Sequence, residues 1–266
     1  MLINIIKENI RRDIKMSLQI LQTEKKGRPL KIPTKKLALD ENLGYILGTT
    51  LGDGGIYIES GTVKLGVIDK DFTLAFKKAL EEWSGFKVSF YYYKNYTTPY
   101  QVNLSSKYVA NFLKNFDINK IKTSFKKIKK MFLRGMYDSE GCVDSGMKEI
   151  KLSNKNKQLL QFCKDLLSDL DIESGKIGVV VKRGSYTILP DKKKFLVKRN
   201  CYEFIIYGKK NLIKFKDLIS FSIKRKQDKL VKMINSYLSK KQLHFYKSLP
   251  SNKRKNWRKL YNEQIY

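Results

Sequence analysis

The sequence predicts an α+β fold made twice over, as two pseudo-symmetric αββαββα halves, and three observations predict it. First, the stretches 43–55 (LGYILGTTLGDGG) and 132–141 (FLRGMYDSEG) share apolar residues, small residues and a terminal acid. Aligning Gly48 with Gly135, Gly52 with Ser139 and Asp53 with Glu140 gives one offset, since 135 − 48, 139 − 52 and 140 − 53 are all 87; coincident offsets point to an internal duplication. Second, the chain after each stretch runs through a similar set of β-rich and amphipathic segments. Third, Asp69-Lys70-Asp71 and Asn154-Lys155-Asn156 fall at matching places at an offset of 85, which a small indel explains.

The elements follow in order. Residues 1–39 form a basic N-terminal extension. In it Ile3, Ile6, Ile10, Ile14 and Leu18 recur near the helical period over residues 1–23, ahead of KKGRPLKIPTKK. That segment reads as a basic linker, with Gly27-Arg28-Pro29 resembling arms that enter the minor groove as the alternative. The first half spans 40–120. Asp40 is placed to cap a helix with apolar positions at Leu43, Ile46, Leu47 and Leu51, expected to end at Asp53. IYI, TVKLGVI, FKVSFYYY and YQVNLSS are rich in β-branched and aromatic residues and read as strands. Helices are expected over 72–83 and 108–116.

The second half spans 121–220. Thr123 or Ser124 is expected to cap its first helix. MKEIKLS and GKIGVVVK are assigned to the early strands, 157–170 to the middle helix, CYEFIIY to the last strand and 210–219 to the closing helix, with a longer loop around PDKKKFLVKR. Residues 221–266, with Arg225, Arg254, Trp257 and Arg258, read as a basic helical C-terminal extension that clamps a ligand or packs on the core.

Charge bounds the partner. Lys and Arg number 55 against 25 Asp and Glu, a formal +30 spread along 266 residues, so a polyanion is expected. Phosphate neutralisation and counterion release would supply affinity without sequence choice. No apolar run reaches the roughly 20 residues that span a bilayer, and Glu8 and Asp13 argue against a targeting peptide; the expected compartment is the cytoplasm. Cys142, Cys163 and Cys201 lack CxxC spacing, and His244 is the single histidine. Zinc fingers, disulfide scaffolds, serine triads and histidine nucleases are thereby set aside, leaving carboxylates and lysines to carry any catalysis.

Within each matched stretch the small residues stand four apart, on one helical face, where they admit a second helix backbone to backbone. Each helix then reaches an acid followed by glycine, Asp53-Gly54 and Glu140-Gly141, with glycine expected as the left-handed stop. A carboxylate there faces the negative end of the helix dipole, and helix pairing would set it near a second one, so both effects oppose ionisation. A divalent cation would reverse both. Such a rule broken twice at matched positions points to function.

These two stretches resemble the paired motifs of the LAGLIDADG homing endonucleases in their single-chain, two-motif form. The GDGG ending of the first is most similar to archaeal members, and an organellar origin stays open. The resemblance covers roughly 40–220. It implies two antiparallel sheets forming a saddle over double-stranded DNA, a monomer with pseudo-two-fold symmetry and no membrane partner. The implied activity is divalent-metal-dependent cleavage of both strands at a long asymmetric site, leaving short 3′ overhangs. Asp53 and Glu140 would hold magnesium, two or three ions with manganese as a substitute, with Gly52 and Ser139 in the same metal-binding set. Lys70 and Lys155 would order water and offset charge, and Asn154 would accompany the latter where the first half has Asp69. Gly48, Gly52, Gly135 and Ser139 would pack the helices.

By alternation the bases would meet Tyr57, Glu59, Lys64, Lys87, Ser89, Tyr91, Tyr93, Gln101 and Asn103 in the first half. In the second half the positions are Lys151, Asn154, Lys182, Arg183, Lys198 and Arg199. An RNA maturase or a non-cleaving DNA-binding regulator is the alternative function. Gly55-Ile56-Tyr57 resembles the opening of the GIY-YIG nucleases, but no second such strand follows; the Met start and NEQIY ending argue against an intein.

Overall fold

The structure, a computed structural model, describes residues 32–188, 194–237, 242, 245 and 247–256. The expected helix and linker over 1–31, and Trp257 and Arg258, lie outside the described residues. The chain divides into two compact units, 1–139 and 140–266.

In the first unit the order is α1 (Glu41–Leu51), β1 (Gly55–Tyr57), β2 (Thr62–Val67), α2 (Lys70–Ser84), β3 (Ser89–Tyr92), β4 (Tyr100–Ser105), α3 (Lys107–Lys114), a short α4 (Asn119–Lys122) and α5 (Lys126–Glu140), whose last residue opens the second unit. Asp40 caps α1 by accepting from the Leu43 N–H at 2.8 Å, and Ser106 caps α3 through the Val109 N–H, each satisfying a donor with no intrahelical partner. Gly85 ends α2 in the left-handed region at φ 75° and donates to the Glu81 carbonyl. The strands form one antiparallel sheet of order β1-β2-β4-β3. Val63, Leu65, Val67, Val102 and Leu104 are buried on one face, and α2 packs there with Phe72, Phe76, Leu80 and Trp83 among its buried residues.

The second unit continues with β5 (Gly141–Asp144), β6 (Glu149–Asn154), α6 (Lys157–Ser168), β7 (Gly178–Val181), β8 (Tyr186–Ile188), β9 (Lys194–Leu196), β10 (Cys201–Tyr207), α7 (Lys209–Leu218) and α8 (Lys224–Asn235). Its sheet order, β5-β6-β10-β7, repeats the first with β7 and β10 in the places of β3 and β4, while β8 and β9 pair in a sheet of their own. Ile150, Leu152, Phe204 and Ile206 are buried on the helix-facing side. Helix α8 packs on α7 and β5, burying Leu230, Met233 and Ile234, so this part of the basic C-terminal extension belongs to the core.

Four expectations are corrected. The early strands of the second half are β5 and β6: GCVD, short and bearing an aspartate, is the first, whereas GVVV follows the middle helix as β7. The long loop contains the β8–β9 ribbon. Thr123 and Ser124 do not cap α5, because their hydroxyls donate back to the Lys120 and Ile121 carbonyls of α4 and α5 starts only at Lys126. Finally, α1 ends at Leu51, two residues before Asp53, and neither Gly54 nor Gly141 is left-handed. Gly54 is required by proximity instead. Its N–H reaches back to the Thr49 carbonyl at 2.9 Å, so close that a Cβ would lie 2.9 Å from Thr50 Cα.

What aligns α1 with α5 inside the first unit is a run of glycines. A Cβ on Gly48 would overlap the Phe132 carbonyl oxygen, one on Gly44 would lie 2.8 Å from the Ile128 carbonyl oxygen, and one on Gly135 would lie 2.8 Å from the Thr49 nitrogen. All three obstacles are backbone atoms and cannot rotate away. Below them the Tyr45 hydroxyl donates to Asp138 Oδ2 at 2.8 Å, both side chains buried. Replacing Gly48 by Ala should therefore destabilise the protein by about 2 kcal/mol, overpacking outweighing the roughly 1 kcal/mol that alanine gains in a helix. Gly66→Ala is the control, because a Cβ at Gly66 meets nothing nearer than 3.6 Å. Equal urea midpoints for the two variants would contradict the close helix contact.

Candidate metal-binding acids and nucleic-acid interface

Each motif helix delivers an acid at its carboxyl end. Asp53 is exposed in the turn that joins α1 to β1, following Gly52, which caps α1 by donating to the Thr49 carbonyl. Glu140 is the last residue of α5 and half-buried, and the Ser139 hydroxyl beside it donates to the Gly135 carbonyl of its own helix.

Glu140 is held by the second unit's own residues. The Asn154 side-chain N–H donates to Glu140 Oε1 at 2.9 Å, while Asn154 Oδ1 accepts from the Asn156 N–H at 2.8 Å. Having both ends engaged fixes which way the amide points. Asn156 in turn caps α6 by accepting from the Gln158 and Leu159 N–H groups. The Asn-Lys-Asn triplet thus couples the start of α6 to the acid at the end of α5, with Lys155 exposed between the two asparagines. In the first unit Asp69 stands at the N-terminus of α2 and makes no side-chain cap, and Lys70 is exposed at the first helical position.

Nearby, burial pushes the Cys201 thiol up, Glu140 and Glu203 push the same way, and Lys155 opposes them. Cys201 is the neighbour that sequence reasoning missed: it opens β10, whose register sets Tyr202 opposite Asn154.

Among the described residues no group of three or more His, Cys, Asp or Glu side chains could hold a metal ion. One carboxylate per motif, with oxygen atoms as the other donors, does not suit zinc, which takes nitrogen and sulfur from several side chains. It does suit magnesium, which keeps several waters and needs only one or two carboxylates besides substrate phosphates.

The open face of the first sheet is polar and aromatic. Pairing sets Lys64 opposite Gly55 and Asn103, Gly66 opposite Gln101, and Tyr57 opposite Thr62, with Ser89 across from Asn103 and Tyr91 across from Gln101. Tyr57, Lys64, Ser89, Tyr91, Gln101 and Asn103 therefore share one face. Tyr93, just past β3, stacks on Tyr91 with ring centroids 6.0 Å apart. No acid stands among them. Asn103 Oδ1 is buried with no hydrogen-bond partner among the described residues. Two positions expected on strands stand off them: Glu59 lies in the turn after β1, and Lys87 in the segment leading into β3.

The corresponding face of the second sheet differs. Register places Cys142 and Ile205 beside Lys151, Asp144 and Tyr207 beside Glu149, and Glu203 beside Ser153. Lys151, expected as a cation for DNA, forms ion pairs with Asp144 at 2.9 Å and Glu149 at 3.2 Å; hydrogen bonds to both carboxylates raise its pKa, and Lys151 holds that of Asp144 down. Ser153 donates to Glu203 at 2.6 Å. Lys182, Arg183, Lys198 and Arg199 stand on no strand; they flank the base of the β8–β9 ribbon.

The family model for the LAGLIDADG-like domain matches residues 127–220, which run from α5 to the end of α7. The uncharacterized protein MJ0398 of Methanocaldococcus jannaschii is 33% identical over 205 residues, 75% of this chain and 74% of that one. Variants of the homing endonuclease I-DmoI superpose with a TM-score of 0.50 at 22% identity, covering 68% of this chain and 90% of theirs. A substituted I-DmoI in complex with its target DNA in the presence of manganese gives 0.51 at 22% identity, covering 68% of this chain and 94% of that one. Full-length DUF199/WhiA from Thermatoga maritima gives 0.52 at 12% identity, over 88% of this chain and 70% of that one. At these identities the structural matches establish a shared fold.

The cluster around Glu140 is testable without DNA. Thiolate is the nucleophilic form, so Cys201, with its raised pKa, should alkylate more slowly at mildly alkaline pH than exposed Cys142, while fully buried Cys163 stays inert. Glu140→Gln removes a charge that disfavours the thiolate and should speed Cys201 selectively. An unchanged Cys201 rate, measured by peptide mapping after iodoacetamide, would argue against this arrangement.

Proposed function

The chain belongs to the LAGLIDADG family, and from that premise we propose that it is a site-specific, divalent-metal-dependent endonuclease acting on double-stranded DNA. The observation that carries the reading is the pair of motif helices packed through Gly48 and Gly135, each followed at its carboxyl end by an acid, Asp53 or Glu140. The formal charge of +30 supplies affinity for phosphates, and I-DmoI, with the same fold, has been seen with target DNA and manganese.

In this reading Asp53 and Glu140 hold magnesium, or manganese in its place, with Gly52 and Ser139 beside them, and each motif directs cleavage of one strand. Metal so held supplies an activated water and neutralises the leaving oxygen. Asn154 fixes the Glu140 carboxylate through its 2.9 Å hydrogen bond, so the acid is oriented before DNA arrives and loses little freedom on binding. Lys70 and Lys155, exposed beside the N-termini of α2 and α6, offset phosphate charge and order water. The open face of the first sheet offers Lys64 to phosphates and the hydroxyl and amide groups of Tyr57, Ser89, Tyr91, Tyr93, Gln101 and Asn103 to base edges. Side chains of these kinds discriminate bases by pairing with groups displayed in the major groove.

The direct test is magnesium-dependent cleavage of a plasmid carrying the uninterrupted junction into which this reading frame is inserted. Asp53→Asn and Glu140→Gln should each lower cleavage at least about 100-fold, the order of loss expected when a metal-held transition-state interaction goes. Binding should stay equal or tighten, since each change removes negative charge from the interface. Specific binding without cutting by the unaltered protein would favour the regulator or maturase reading, and lost binding in the two variants would count against the assignment of the acids.

A further inference from the structure

The β8–β9 ribbon is an insertion into the repeat. Where the second unit has it, the first unit joins β3 to β4 through residues 93–99 alone. Register pairs Tyr186 with Leu196, Thr187 with Phe195 and Ile188 with Lys194, so Lys194 shares one face of two short strands with Tyr186, Ile188 and Leu196. The exposures of these last three are 68%, 70% and 47%. A two-stranded ribbon is marginal in water by itself, and one that also exposes three large apolar side chains on a single face is built to cover them with something.

Its base indicates what that is. Gly184 donates to the Val197 carbonyl at 2.9 Å, Val197 to the Ser185 carbonyl at 2.9 Å, and the Arg183 N–H to Asn200 Oδ1 at 2.7 Å. These bonds bring the two connecting segments together, and with them Lys182, Arg183, Lys198 and Arg199, all exposed. Over residues 176–188 and 194–202 the chain carries six Lys or Arg and no Asp or Glu. An apolar face above a purely cationic base suits neither a protein of balanced charge nor a second copy of this chain, whose +30 would repel it. Charge complementarity selects nucleic acid. The polar groups of that face are the Tyr186 hydroxyl and Lys194, opposite Ile188; the cation suits phosphate and only the hydroxyl is left to read base edges, so contact with bases is chiefly apolar.

We propose that the β8–β9 ribbon is a wedge: its basic base grips the phosphates flanking one base step while Ile188, with Tyr186 and Leu196, presses between the bases and unstacks them. Proteins that bend duplexes insert side chains of this kind, at a cost of a few kcal/mol per step, which makes easily unstacked pyrimidine–purine steps the preferred sites. The inference rests on the reading of the chain as a duplex-DNA-binding protein and is independent of whether it cleaves.

The test uses the full-length chain and a duplex recovered on it from a pool with a randomised central segment. The duplex is then made with 2-aminopurine at each adenine in turn. Binding should raise the fluorescence several-fold at one step, and Ile188→Ser and Tyr186→Ser should each abolish the rise while the duplex is still retarded in a gel. Both side chains are largely solvent-exposed, so unchanged melting temperatures are expected; Leu196→Ser is the third variant. A duplex that is bound without a rise at any step overturns the wedge. Sedimentation showing a dimer that Tyr186→Ser converts to monomer would make the ribbon a self-docking surface and overturn it as well. Recovery of no duplex at all would sink the DNA-binding reading itself and the wedge with it, a result distinct from binding without unstacking.

Discussion

Much of this structure depends on the absence of three side chains. Gly44, Gly48 and Gly135 let α1 and α5 touch backbone to backbone, so that even a methyl group at any of them would meet a carbonyl oxygen or an amide nitrogen. At such separation the direction of each helix is set by main-chain atoms, which do not adapt as side chains do, and packed interiors transmit small displacements. The buried hydrogen bond from Tyr45 to Asp138 adds a polar constraint on the same contact. A buried carboxylate so engaged is costly to leave unpaired, which penalises any slip of one helix along the other. Glu140 is the last residue of one helix held in this way and Asp53 stands two residues past the other; on the proposed function, an acid that shares a metal with a phosphate needs that rigidity more than a particular apolar core.

The duplication has diverged most on the surfaces that would face a ligand. Strand order is the same in both sheets, and both helix-facing sides are built of buried aliphatic and aromatic residues. The open faces differ. The first combines one lysine with hydroxyl and amide groups and no acid. On the second, Lys151 is engaged by Asp144 and Glu149, and Glu203 is held by Ser153. A carboxylate on such a face repels phosphate but accepts from the amino group of cytosine. The two open faces thus present unlike chemistry, which on the proposed function suits an asymmetric target, and the cationic base of the ribbon returns to the second unit the positive charge that its sheet has neutralised.

The strongly periodic parts of this fold were legible in the sequence. The Asp40 cap, the helices and the strands TVKLGV and YQVNLS were evident from capping chemistry and alternation, and the register inferred for the first sheet placed Lys64, Tyr91, Gln101 and Asn103 on one face as the pairing has them. The second half was harder for a physical reason. GCVD is four residues long and carries an aspartate, so nothing local marks it as a strand; it is one because Gly141–Asp144 pairs along β6. The ribbon escaped notice because strands of three residues in a lysine-rich segment fall below what composition reveals. Gly44 was visible at the same four-residue spacing as Gly48, yet the spacing was read forward to Gly52, the residue that caps the helix.

Charged side chains were least legible, because a lysine's partner depends on tertiary register. Lys151 carries the same residue type as Lys64 and occupies the corresponding strand, β6 in place of β2, yet one meets two carboxylates and the other faces Asn103 and Gly55. The charge of +30 is thus a property of the whole chain that says little about any one position. Coulomb attraction to phosphate is long-ranged and tolerant of placement, so dispersed lysines suffice for it; base discrimination needs groups fixed to within a hydrogen bond, and those sit on paired strands. On the proposed function, binding strength and site choice are therefore carried by different residues. On that reading the lysines that crowd the sequence supply the first, while the second is left to the sparser tyrosines, amides and carboxylates whose neighbours the sheets determine.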